Sequence, residues 1–256
     1  MKSIKLSIVT VNFGSADKVK RLWDSIQKYP PSVPFECIIV DNPTRKNQDS
    51  ADLTRIFQNE KNVHLVLLSE NGGYGAGNAE GVRFASGEFL AIVNPDVEVT
   101  EHTFDILLKT LQADEKNGVV VPLLKTHDGK ILENARPFPN IMKLLRRRLF
   151  GSQIIKAKEQ IQKIREIDWA QGSFLVLRKE LFEKLDGFDE RFFLFFEDTD
   201  FCRRVWNEKL KVLQNPHAIA IHSPNRLSGG NIFKALGRKT FWIHVSSMLK
   251  YFWKWK

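Results

Sequence analysis

The sequence predicts an α/β fold: an open, mostly parallel sheet with helices on both faces, and a C-terminal helical appendage. Three observations carry that expectation. Strand and helix patterns alternate four times, their connections are short, and polar residues gather at the strand ends. Lys5 to Val11 alternates and then runs apolar, ending at Asn12-Phe13-Gly14-Ser15 before an amphipathic helix from Ala16 to about Lys28. Tyr29-Pro30-Pro31 stops that helix, because proline removes a backbone donor. A second strand, Glu36 to Val40, ends at Asp41-Asn42-Pro43, and a helical pattern follows from about Ser50 to Phe57. The third strand, Val63 to Leu68, delivers a Gly-rich loop, Glu70 to Asn78, and a helix through Ala85. The fourth, Phe89 to Val93, runs straight into Asn94-Pro95-Asp96 and presents a carboxylate at its C-terminal end. In open α/β sheets ligands bind at that end.

Beyond the fourth strand the pattern is less regular. A helix from Thr103 to Leu111 and a strand from Gly118 to Val121 complete the first half. Pro137 to Arg148 and the charged run Lys156 to Arg165 read as a mobile or surface-lying insertion. Trp169 to Leu177 reads as one strand carrying a Gly, followed by a short helix from Lys179 to Leu185 and the turn Asp186-Gly187-Phe188-Asp189. The aromatic run Arg191 to Phe196 ends in Glu197-Asp198-Thr199-Asp200, which opens a helix through Trp206. Ala218 to Ile221 is a short apolar strand ending at His222.

Composition narrows the function classes. With 256 residues and 43% hydrophobic content the chain can bury a full core. Cys37 and Cys202 sit in core-like patterns, which argues for a reducing compartment and against a thiol nucleophile or ligand. The start of the chain lacks the apolar region of a signal peptide, and no stretch is long enough for a spanning helix. The expected location is the cytosol or the cytosolic face of a membrane. The net charge of +9 favours an anionic partner. Nucleic acid is disfavoured because neither a zinc knuckle nor an aromatic RNP-type strand is present, which leaves a membrane surface or a plain solvated face. Phe241 to Lys256 is aromatic and basic. As a helix it sets Ile243, Met248, Tyr251, Phe252 and Trp255 near one side, suited to a lipid interface or to docking on the domain or on a second copy in a homodimer.

The residues that could carry chemistry each have two readings. The Gly-rich run is neither a dinucleotide fingerprint nor a P-loop, since Asn78 stands where either motif demands another residue. It lets backbone N–H groups approach a flat or anionic ligand, with Asn71 and Asn78 reading a base or ribose, or it is only a tight turn. Asp41 and Asp96 are ligands of a base, ribose or metal, or they are turn and cap aspartates. Glu197, Asp198 and Asp200 follow apolar rings that could raise one carboxylate's proton affinity toward that of a general base, or they are first-turn acids on a helix. An ion pair of Asp200 with Arg203 is expected from their spacing. His222 is structural or completes a metal site.

Taken in order, Val9-Thr10-Val11-Asn12, Val40-Asp41-Asn42, Asn71 to Asn78, Asn94-Pro95-Asp96, Trp169 to Ser173, Gly187 to Phe193 and Glu197 to Asp200 resemble the inverting glycosyltransferases of family 2 with the GT-A fold. The resemblance spans about Leu6 to His222 and is strongest with the rhamnosyltransferase-like branch, which takes rhamnose from dTDP-rhamnose to build cell-surface polysaccharide. It implies a catalytic domain over residues 1–225, with a nucleotide-binding half at 1–122 and an acceptor-side half at 123–225, and a helix at 226–256. It implies that Thr10, Asn12, Asp41, Asn71, Gly72, Gly73, Asn78, Asn94 and Asp96 hold the donor, a dTDP- or UDP-sugar. Asp96 and His222 would bind Mg²⁺ or Mn²⁺, and Asp198 would be the general base. Trp169, Gly172, Ser173 and Glu197 would face a lipid-linked glycan acceptor. One departure is visible: Asn94 stands where many members carry Asp, leaving one fewer negative charge for the cation. A catalytically weak nucleotide-sugar-binding scaffold is the alternative that this departure and the basic tail suggest.

Overall fold

The computed structural model describes residues 3–44, 48–140, 162–223 and 237–256. Its first half follows the expected alternation: β1 (Leu6–Asn12), α1 (Ala16–Lys28), β2 (Phe35–Asp41), α2 (Gln48–Phe57), β3 (Val63–Leu67), α3 (Gly73–Arg83) and β4 (Phe89–Val93). These strands pair in parallel in the order β3-β2-β1-β4. Being covered on both sides, β1, β2 and β4 are near-continuous apolar runs. Leu6 and Ile8 pack with α1 and α2 on one face, and Val9 and Ile38 pack with α3 on the other.

The second half contains β5 (Val97–Val99), α4 (Thr103–Gln112), β6 (Asn117–Lys125), β7 (Ala135–Arg136), β8 (Arg165–Glu166), β9 (Trp169–Ala170), β10 (Phe174–Arg178), α5 (Lys179–Lys184), α6 (Glu197–Asn207), β11 (Lys211–His222) and α7 (Lys239–Lys254). The sheet continues β4-β10-β6-β11-β5, and β8 pairs with the far side of β11. Here β10 runs antiparallel to both β4 and β6, while β6 and β11 are parallel. Strand direction leaves no mark on an apolar run that is buried on both faces, so the reversal at β10 was invisible in the pattern.

Four local expectations change. Trp169 to Leu177 is two strands broken at Gln171-Gly172-Ser173, because β9 pairs with β7 in a separate ribbon and β10 joins the main sheet. The Gly-rich run is the opening of helix α3 rather than a loop. The short strand before His222 is the end of the twelve-residue β11. Asp200 pairs with Arg204, not Arg203, because helical geometry brings Arg204 Nε to 2.8 Å from Asp200 Oδ2. The expected insertion falls mostly on residues 141–161, outside the described residues.

The glycines of α3 explain why this helix lies so close to its neighbours. A Cβ at Gly81 would meet Val9 Cγ1 at 2.5 Å, and one at Gly73 would meet the Phe193 carbonyl oxygen at 2.0 Å. Gly73 also has φ +91°, a conformation side-chain-bearing residues avoid. The run is therefore first a packing device, pressing α3 onto β1 and onto the chain before α6.

Candidate active site

The C-terminal edge of the parallel strands collects the polar groups. At its centre Asn12 and Asp41, paired across β1 and β2, are buried and bonded to each other: Asn12 Nδ2 donates to Asp41 Oδ1 at 2.7 Å. Ser50 on α2 donates to the other Asp41 oxygen. Beside them Asn42 Nδ2 donates to the Gly73 carbonyl at 3.0 Å, tying β2 to the start of α3. Asn71 Oδ1 accepts from Gly73 N–H at 2.8 Å, and Phe193 O accepts from Tyr74 N–H at 3.0 Å. Two of the first amides of α3 are thus occupied by protein, and Gly72, the residue before the helix, is exposed. Asn78 is buried inside the helix, with its amide donating to Tyr74 O.

Asp96 stands one step along the edge, beyond β4. The short strand β5 pairs antiparallel with β11 so that Val97 faces His222, and this register brings the imidazole to the carboxylate. His222 Nε2 lies 3.2 Å from Asp96 Oδ1, and Lys18 Nζ lies 3.8 Å from Oδ2. Burial opposes ionisation of Asp96, but the hydrogen bond and charge of His222 and the charge of Lys18 outweigh it and hold the carboxyl below its usual range. Lys18, Arg21, Asp96, Glu98 and His127 line an open cleft of about 480 Å³. Lys18 and Arg21 were not singled out in the sequence. A signal was available: a lysine in the first turn of α1 opposes the helix dipole, which disfavours cations there.

Because β10 runs antiparallel, its beginning rather than its end joins this edge. Asn94 N–H donates to Ser173 O at 2.9 Å, and the neighbouring Gly172 N–H donates to Asp198 Oδ2 at 2.9 Å. Two hydrogen bonds therefore bridge the turn after β4 to the first turn of α6. Asp198 Oδ1 accepts from Thr199 N–H at 2.7 Å. Tyr74 also reaches this turn. Its hydroxyl donates to Gly172 O, and its phenol is held well above its ordinary range by burial first and then by the charges of Glu197, Asp198 and Asp96. Trp169 stands half-buried beside this turn, its indole donating to Pro137 O at 2.8 Å and Arg136 lying over its ring.

Burial raises the proton affinity of both Glu197 and Asp198. Asp198 has compensating donors at Gly172 and Thr199, whereas Glu197 is raised further by the Asp198 charge. Both carboxyls are therefore held above the ordinary carboxylate range. The rings of Phe195 and Phe196 pack against α7 residues His244 and Tyr251. Both phenylalanines have φ near +70°, a strained pair that turns the chain into α6.

Among the described residues, the buried side-chain atoms lacking a hydrogen-bond partner include Thr10 Oγ1, Asn42 Oδ1, Ser173 Oγ and Glu197 Oε2. An unsatisfied buried group costs about 1–3 kcal/mol. Their gathering near one sheet edge is what a site awaiting a polar ligand shows. For a divalent cation the protein offers one carboxylate and one imidazole, and among the described residues no group of three or more acidic, His or Cys side chains is placed to hold a metal ion. That donor set fits Mg²⁺ or Mn²⁺, which bind through one or two carboxylates and complete their shell with phosphate oxygens and water.

The profile described as Glycosyl transferase family 2 matches residues 7–186, and one described as N-terminal domain of galactosyltransferase matches residues 149–227. The chain is 27% identical over 222 residues to the low-salt glycan biosynthesis hexosyltransferase Agl10 of Haloferax volcanii, covering 85% of this chain and 67% of that one. It is 25% identical to rhamnosyltransferase WbbL of Escherichia coli, covering 95% and 91%. It is 24% identical to an N-acetylglucosaminyl-diphospho-decaprenol L-rhamnosyltransferase of Mycobacterium tuberculosis, covering 88% and 78%. In fold it matches S. aureus TarS 1-349, with TM-score 0.60 and 17% identity over 86% of this chain. It also matches the mannosyltransferase PcManGT of Pyrobaculum calidifontis, solved with GDP-Man and Mn²⁺, with TM-score 0.61 and 17% identity over 88%. The chain spans about 60% of the length of these two solved chains. The sheet order, the polar edge and the family profile agree: this chain belongs to glycosyl transferase family 2 and has the GT-A fold.

Proposed function

We infer that the chain is an inverting hexosyltransferase that moves a sugar, best rhamnose from dTDP-rhamnose, to a hydroxyl of a lipid-linked or growing cell-surface polysaccharide. The observation that carries this reading is the pair of unlike carboxylates on one edge: Asp96 held low by His222 and Lys18, and Asp198 raised by burial. The first suits an anion-leaving pole and the second a proton acceptor. The choice of sugar is supported by the WbbL and mycobacterial relatives, whose names specify rhamnosyl transfer.

Asp198 takes the proton of the acceptor hydroxyl as that oxygen attacks the anomeric carbon. The bond from that carbon to the donor diphosphate breaks in the same displacement, so configuration inverts and no enzymic nucleophile is needed. Gly172 and Thr199 orient the carboxylate through their N–H groups, and burial raises the proton affinity of the neighbouring Glu197. Lys18 sets a positive charge beside the leaving diphosphate. Asp96 and His222 would hold the divalent cation, which supplies charge neutralisation on the diphosphate when bound. Thr10, Asn12, Asp41 and Asn71 form the donor side, and Trp169 and Ser173 the acceptor side. A basic surface on the cytosolic side of a membrane is the expected working place. No helix among the described residues is long and apolar enough to cross a membrane.

A thermal-shift screen over dTDP-rhamnose, UDP-glucose, UDP-galactose and UDP-GlcNAc, with and without Mn²⁺, tests the reading. Stabilisation by dTDP-rhamnose above the others is the expected result. Preference for a UDP-sugar would reassign the donor, and no response to any nucleotide sugar would overturn the function.

A further inference from the structure

Helix α7 carries large side chains on two opposite faces. The face that docks on the domain mixes ring and polar contacts: Tyr251 and His244 pack on Phe195 and Phe196, Ser247 Oγ donates to Leu194 O at 2.9 Å, and Arg203 donates to the Tyr251 hydroxyl at 3.1 Å. Lys254 Nζ reaches Asp189 at 2.7 Å and Asp200 at 2.6 Å, and Trp255 Nε1 donates to Asp200 at 2.8 Å. The opposite face carries large apolar side chains that are more than half exposed. Trp242, Leu249 and Trp253 are 57%, 61% and 68% exposed. At about 100° of turn per residue these three fall within one narrow stripe, roughly 180° from Tyr251. Tyr251 and Trp255, which the sequence left to a lipid interface or to docking on the domain, point at the protein. A surface helix ordinarily buries its apolar stripe in its own domain. Here the domain holds a face of mixed polar and aromatic contacts, while two tryptophans and a leucine on the other face are more than half exposed.

We propose that this outward stripe is a membrane-docking surface that seats the protein on an anionic lipid bilayer. Charge selects that occupant over an uncharged partner. Arg238, Lys239 and Lys256 are exposed at the two ends of the stripe, no acid lies between Arg238 and Lys256, and the whole chain carries +9. Tryptophans at headgroup depth flanked by cations are the composition of a helix lying in the interface plane. The position of the helix adds a reason. It rests on Arg191 O, Leu194 O and Asp200, and so braces the segment that leads into Asp198. On the proposed function, on which this last point rests, a lipid-linked acceptor would reach the base from the membrane side.

The test uses the full chain and vesicles of phosphatidylcholine, with and without phosphatidylglycerol, in co-sedimentation without donor or acceptor. Wild type should bind the anionic vesicles and be released by high salt. The double variant Leu249→Ser, Trp253→Ser should bind about tenfold or more weakly, and Lys256→Gln about fivefold more weakly. Both leave the docked face intact, and an unchanged melting temperature confirms folding. Failure of wild type to bind, or equal binding by the double variant, overturns the proposal. So does a wild-type dimer that the double variant converts to monomer, which would give the stripe to a second copy. Nucleotide-sugar binding, read separately on the same variants, stays unchanged if only the docking proposal fails and is absent from wild type if the transferase reading fails.

Discussion

Asp96 and Asp198 are the same residue type on one sheet edge in opposite surroundings. Asp96 sits at the rim of an open cleft with His222 and Lys18 within 4 Å, which hold its carboxyl below its usual range. Asp198 is buried beside Glu197, has no ion-pair partner among the described residues, and is held by neutral N–H donors that fix its direction. On the proposed function, a cation-rich rim would receive the departing anion and a desolvated carboxylate would accept the proton. The difference lies in what surrounds each acid rather than in the acids themselves.

The largest expected effect breaks the base pole alone. Asp198→Asn keeps size and the hydrogen bond from Gly172 but removes the proton acceptor, so turnover should fall by about 10²–10⁴. Retention of more than a tenth of wild-type turnover in a transfer assay would remove Asp198 from the mechanism.

Both poles were legible in the sequence, but what distinguishes them was not. Asn94-Pro95-Asp96 after an apolar run and Glu197-Asp198-Thr199-Asp200 after an aromatic one marked the acids. The β5–β11 register that brings His222 to Asp96 depends on pairing across more than a hundred residues, and the reversal of β10 that brings Gly172 to Asp198 leaves no local trace. The Gly-rich run was read as a ligand cradle or a tight turn, and its packing against the Phe193 carbonyl was not legible. Helix α7 was expected, yet which of its faces meets the domain depended on the acids at Asp189 and Asp200.

Gly73→Ala tests the contact that sets the Phe193 segment, which leads into the base pole, against α3. The added methyl meets Phe193 O and the backbone is at positive φ, so a loss of about 2–3 kcal/mol is expected from urea denaturation. A change below about 0.5 kcal/mol would show that the segment yields freely.

Glu197→Gln sharpens the contrast through pH. The folded-state pKa of Glu197 is raised by burial and by Asp198, so its contribution to stability is complete below the ordinary carboxylate range and is lost as pH rises through the raised value. The Gln variant should lose less stability than wild type between acid and neutral pH. Parallel curves for the two proteins would show that burial does not raise the proton affinity of Glu197.

Asn94→Asp adds an acid at the anion pole and is the smallest effect expected, a gain in Mn²⁺ affinity of about tenfold or less by calorimetry with nucleoside diphosphate present. Weaker binding would mean that the Asn94 amide itself contacts the donor.

The division of labour between the two aspartates is tested most directly by titrating nucleoside diphosphate and Mn²⁺ into Asp198→Asn and Asp96→Asn side by side. Asp198→Asn should bind as tightly as wild type, and Asp96→Asn about tenfold or more weakly. Equal losses in both variants, or a loss confined to Asp198→Asn, would contradict the assignment of donor anchoring to Asp96 and proton acceptance to Asp198.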